Sequence, residues 1–168
     1  MPFTPLHLGP GLALGLAFKK RMHAPTFIIA NVIIDIEPFL ILVLRLRYPL
    51  HGYMHTLIAA ILLGLALGYI MFALDKLLNS LWKALLLIPE KPLSLKSFSL
   101  AGISGTLLHV LLDSPLYSDI KPLYPLKINP LYNPSLAIHI MTVCMLMGAL
   151  GTVYYITLFT KLLESSAD

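Results

Sequence analysis

The residues best suited to chemistry in this chain are ionisable groups set in apolar sequence. His109 and Asp113, in Leu107-Leu108-His109-Val110-Leu111-Leu112-Asp113-Ser114-Pro115, are four residues apart, so on a helix both side chains lie on one face, one turn apart. His51 and His55, in Leu50-His51-Gly52-Tyr53-Met54-His55-Thr56, repeat that spacing. Asp35 and Glu37, in Asp35-Ile36-Glu37-Pro38, have no Lys or Arg within seven residues on either side. A carboxylate in an apolar medium costs several kcal/mol unless it is paired, protonated or bound to a metal. Neutral imidazoles with carboxylates, and no thiolate among them, suit Zn²⁺ and tolerate Mn²⁺ or Fe²⁺. Taken singly, each pair is explained as well by a helical His bonded to a neighbour.

The elements that position these groups follow from composition. Of 168 residues, 58% are hydrophobic and 12% charged, against about a quarter charged in an ordinary soluble domain. That is the composition of an integral membrane protein, and it predicts one all-α transmembrane bundle over residues 1–168. The clearest span is residues 56–74, a charge-free run of about 28 Å at ~1.5 Å per residue. Residues 136–160 form a second span. Residues 22–44 form a third, with Pro38 expected to kink or end the helix after Glu37. Residues 97–112 are shorter, and residues 2–18, rich in Gly and Pro, are the weakest segment. These give about four to five apolar helices, with residues 75–96 as a surface helix or connector. The N-terminus reads as retained, because Lys19-Lys20-Arg21 follows the apolar stretch instead of preceding it.

Charge then sorts the ends. The chain has 12 Lys and Arg against 8 Asp and Glu, scattered among connections without the basic stripe of a nucleic-acid binder, so no nucleic acid is expected as a partner. If the segments alternate, eight cations fall on one side and four on the other, which makes the eight-cation side cytoplasmic. His7, Asp35, Glu37, His51, His55, His109, Asp113, Asp119 and His139 all fall at the opposite, extracytoplasmic ends. Such grouping at one surface favours a metal centre over a proton or ion pathway, whose residues spread in depth. His23, beside the basic triplet, is expected at the interface, and His139 is either a ligand or a core residue.

In this order the motifs resemble the membrane-bound, metal-dependent hydrolase family typified by a LexA-regulated bacterial inner-membrane protein. They are Met1-Pro2-Phe3-Thr4-Pro5-Leu6-His7, Asp35-Ile36-Glu37-Pro38, the block from His51 to Thr56, His109-x-x-x-Asp113-Ser114-Pro115 and Tyr124-Pro125-Leu126, within about the first 130 residues. That family is distantly similar to zinc-dependent phospholipase C and P1-type nucleases. The resemblance implies a metal site of Asp35, His55, His109 and Asp113, with His7 on a second ion sharing Asp113. Where members carry His-Arg-Gly-x-Thr-His-Ser, this chain has a four-residue step and Gly52 in place of Arg, which leaves His51 and His55 as alternative ligands. The expected activity is hydrolysis of a lipid or lipid-linked phosphoester, with Glu37 or His51 as general base. The alternative is a non-catalytic metal- or proton-handling or structural membrane protein.

Overall fold

The computed structural model describes residues 5–89 and 91–165; Met1 to Thr4, which open the N-terminal motif, lie outside the described residues. A 3-10 turn, Pro5–His7, leads into α1 (Leu8–Ala17), followed by α2 (Ala24–Ile33) and α3 (Ile36–Val43). A second 3-10 turn, Tyr53–His55, precedes α4 (Leu57–Ala84) and α5 (Leu95–Asp113); a third, Pro134–Leu136, starts α6 (Ala137–Ser165). No strand occurs among the described residues.

Four stretches are long and apolar enough to cross a bilayer: Ala24–Val43, Leu57–Ala84, Leu95–Asp113 and Pro134–Glu164. α1, with ten residues, reaches only about 15 Å, half a hydrocarbon core. In space the helices neighbour one another in the order α6, α1, α2, α5, α4. Large apolar side chains on α4 and α6, such as Leu62, Tyr69, Ile138 and Leu150, stay exposed, as suits lipid-facing surfaces. Helices in lipid lack a hydrophobic drive toward one another and meet through small residues. α4 and α5 accordingly cross at Gly64 and Gly102, where a Cβ on either residue would fall on the other's helix backbone. The Thr106 hydroxyl donates across this crossing to Ala60 O at 2.7 Å.

Two local outcomes differ from the sequence expectation. The break in the Ala24–Val43 span falls at Ile34–Asp35, between α2 and α3, instead of after Glu37. Pro38 has no N–H for the carbonyl four residues back, Ile34, and its ring crowds that carbonyl, so the disruption appears upstream of the proline. The amides of Asp35 and Glu37 donate three residues back, to Val32 O and Ile34 O, tightening the chain into a 3-10 link. The second difference concerns residues 75–96. Among the described residues no separate surface helix forms there; α4 runs on through Asp75 to Ala84, and a short connector follows. α4 ends with Leu86 in the left-handed region at φ 58° and the Leu87 amide turned back to Trp82 O, a helix-ending motif that satisfies an orphan carbonyl.

Candidate metal centre

The end of α2, the start of α4 and the end of α5 meet at one end of the bundle, and the side chains there are buried: Asp35, His55, His109 and Asp113 are each at most 3% exposed. One ligand atom from each lies within 4.8 Å of the others. His109 Nε2 stands 3.4 Å from Asp35 Oδ1 and 3.3 Å from Asp113 Oδ2, and His55 Nε2 is 4.0 Å from Asp35 Oδ1. Ligand bonds of ~2.0–2.1 Å at tetrahedral angles put neighbouring ligand atoms roughly 3.4 Å apart. The two separations at His109 Nε2 match that spacing, and all four ligand atoms lie close enough to share one ion after small shifts.

The imidazoles are fixed from behind. His109 Nδ1 donates to the main-chain oxygen of Asn31 at 2.7 Å, and His55 Nδ1 donates to Glu37 Oε2 at 3.1 Å. In the neutral form each ring therefore carries its proton on Nδ1 and its lone pair on Nε2. Neither His55 Nε2 nor His109 Nε2 has a hydrogen-bond partner among the described residues, and both are buried. Two orphaned imidazole lone pairs facing two carboxylates form the donor set that a divalent cation completes. Burial holds His55 below the ordinary histidine range even against the opposing pull of Glu37, which keeps it neutral and competent to ligate.

Glu37 accepts from Gly52 N at 3.0 Å and Met54 N at 3.4 Å as well as from His55. It serves both as the orienter of His55 and as the clamp on the loop before α4. The loop approaches so closely that a Cβ on Gly52 would meet Tyr48 and the Glu37 carboxylate, so a larger residue there would have to displace both side chains.

The family-model match for YdjM inner membrane protein covers residues 1–164. The chain belongs to that family. No curated protein and no solved structure matches it. The family name and the four candidate spans together make this YdjM-family chain an integral membrane protein associated with the lipid bilayer, carrying a His/Asp cluster that could hold a metal ion of unspecified identity.

The other residues singled out in the sequence are placed as follows. His7 Nε2 donates to Asp113 Oδ1 at 2.9 Å, and its ring stacks on His109 with centroids 4.2 Å apart. It braces the cage from outside the group of four. His51 lies outside the group of four: its Nδ1 and backbone N–H both donate to Asp119, at 2.9 and 3.0 Å. Its ring packs on Tyr117 and edge-on to His55. Burial raises the Asp119 carboxyl, but the His51 bonds outweigh it and hold the group below the usual carboxylate range. His139 is exposed, outside the cluster. His23 is buried within the protein, directly ahead of the Ala24–Val43 span. The Asn31 carbonyl was missed by sequence reasoning, and no sequence signal marks it, because every residue carries one.

Proposed function

We propose that this protein is a membrane-embedded, metal-dependent phosphoesterase acting on a lipid or lipid-linked substrate at the extracytoplasmic face. The observation that carries the reading is the pair of unpartnered Nε2 atoms of His55 and His109 facing Asp35 and Asp113. Zn²⁺ suits that set best, with Mn²⁺ or Fe²⁺ as substitutes. When bound, the ion would supply a nucleophile at neutral pH by bringing the pKa of a water to about 7, and would polarise a phosphoryl oxygen.

The surrounding residues divide the remaining work. The His51–Asp119 pair, with Nδ1 engaged by a carboxylate, is built as a general acid–base group whose Nε2 exchanges protons with the reacting oxygen. Glu37, engaged by three donors, orients His55 in preference to acting as base. A cavity of about 290 Å³ beside His51 is lined by Tyr48, Asp119, Lys121, Tyr124 and Lys127, and the lysines offset phosphate charge. A second cavity, of about 250 Å³, touches His7 and Asp113 and is otherwise largely apolar, lined by Leu6, Leu116, Ile140, Met141 and Cys144. A polar mouth on one flank and an apolar one on the other fit an amphiphile whose headgroup phosphate meets the centre.

Elemental analysis of purified, detergent-solubilised protein should find about one divalent ion per chain, and bis(p-nitrophenyl) phosphate hydrolysis should disappear with chelator and return with Zn²⁺. His109→Ala and Asp113→Ala should lose both ion and turnover. The spacing of His109 Nε2 between two carboxylates also suits a protonated imidazolium in a non-catalytic polar cluster. Full folding without any ion, or ion without turnover, favours that second reading.

A further inference from the structure

At the other end of the bundle lies a second cluster that the candidate centre does not use. Asp75 is 18 residues beyond Leu57 on α4, about 27 Å along the helix axis. His23 caps α2 there: the Thr26 amide donates to His23 Nδ1 at 3.3 Å, and the Thr26 hydroxyl lies 2.7 Å from the same atom. With Nδ1 occupied as an acceptor, the proton of the neutral ring is on Nε2. Burial pushes His23 down to about 4, so the ring is neutral at physiological pH.

His23 Nε2 faces Asp75 Oδ1 at 3.8 Å, too far for a hydrogen bond, and both atoms are buried without a partner among the described residues. The His23 side chain is 1% exposed. The other Asp75 oxygen accepts from Asn79 Nδ2 at 3.5 Å. A buried N–H donor and a buried carboxylate oxygen, on an Asp75 side chain that is itself 22% exposed, are one heavy atom's reach apart and call for a group that both accepts and donates. A hydroxyl does this; a metal ion does not, since Nε2 carries a proton. The pair opens on a cavity of about 260 Å³ lined also by Lys83, Pro89, Lys91 and Phe98, below the ~300–1,000 Å³ of drug-sized sites. The connector that roofs it is pinned by Lys19, whose Nζ donates to Leu86 O at 2.9 Å.

We propose that this cavity is a second binding site, for a small hydroxylated phosphate such as a glycerol phosphate unit. Its hydroxyl bridges His23 Nε2 and Asp75 Oδ1, and its phosphate faces Lys83 and Lys91. The unit belongs either to a phosphatidylglycerol headgroup or to soluble glycerol phosphate.

The chain's one tryptophan reports on the site: Trp82 packs edge-on to His23 with centroids 6.4 Å apart. Detergent-solubilised full-length protein is titrated with sn-glycerol 3-phosphate, short-chain phosphatidylglycerol and short-chain phosphatidylmethanol while Trp82 emission is followed. A saturable change with glycerol phosphate assigns the soluble source; one seen with phosphatidylglycerol alone assigns the headgroup. Phosphatidylmethanol, which keeps the charge but lacks the hydroxyls, should bind roughly tenfold more weakly or worse. His23→Asn, which can still cap the helix, and Asp75→Asn should weaken binding by a similar factor. Equal responses to phosphatidylglycerol and phosphatidylmethanol in the wild type, unchanged titrations in both variants, or no response to any probe would overturn the proposal.

Discussion

Glu37 and His55 share a 3.1 Å hydrogen bond that fixes which face of the imidazole looks into the cage. The same carboxylate holds the two loop amides ahead of α4. Removing its charge therefore disturbs a ligand without deleting one. Glu37→Gln should weaken metal affinity by roughly 10- to 100-fold while the protein stays folded, as read by competition with a chromophoric chelator. Undiminished affinity would mean that His55 is oriented by something else.

His7 tests the number of ions. Its bond to Asp113 and its stacking on His109 make it a brace in this structure, whereas the family resemblance implies a second ion. His7→Phe preserves the stacked ring and removes the bond. Turnover should fall roughly 10- to 100-fold with bound ion staying near about one per chain. A drop from about two ions to about one would instead make His7 a ligand.

The α4–α5 crossing predicts a packing penalty. At Gly64 a side chain would collide with Gly102 O, Ile103 Cα and Thr106 Oγ1, so Gly64→Val should cost about 1–3 kcal/mol or more and lower Tm in detergent by several degrees. Gly148→Ala is the control, since its Cβ would meet only Gly9 Cα at 3.4 Å and should shift Tm little.

His23 gives stability a pH signature. Its folded value, lowered by burial to about 4 from 6.5, lies below the unfolded one, so between these values the unfolded chain binds more protons. Stability from keeping this ring neutral is complete above pH 6.5 and is lost as pH falls toward 4. Thermal melts across that range should drop more steeply for the wild type than for His23→Asn. Parallel curves would exclude a role for this ring.

Much of this arrangement was legible in the residues themselves. The four-residue step from His109 to Asp113 places both on one helical face by geometry alone, and counting charge-free spans brings His7, Asp35, His55 and Asp113 to a common end. Three things were hidden. The choice between His51 and His55 depends on which ring faces Asp35, which turns on the Glu37 and Asp119 carboxylates contributed from distant segments. Asp75, Lys76 and Lys83 interrupt the apolar run but not the helix, because lysine propagates α-helix well and one Asp costs only a few tenths of a kcal/mol, so α4 outruns its hydropathy. The carbonyl that orients His109 belongs to the main chain and leaves no trace in residue type.

That carbonyl is available because of the link between α2 and α3. Where the Asp35 amide turns to Val32 O, Asn31 O accepts the His109 N–H instead. A sequence improved for helical continuity, with Pro38 replaced by Ala, would let the amide of residue 35 return to Asn31 O and compete with His109 for that acceptor. The imperfection in the Ala24–Val43 span is thus the part of the backbone that conditions an imidazole, and a sturdier protein at this point would be a poorer host for an ion.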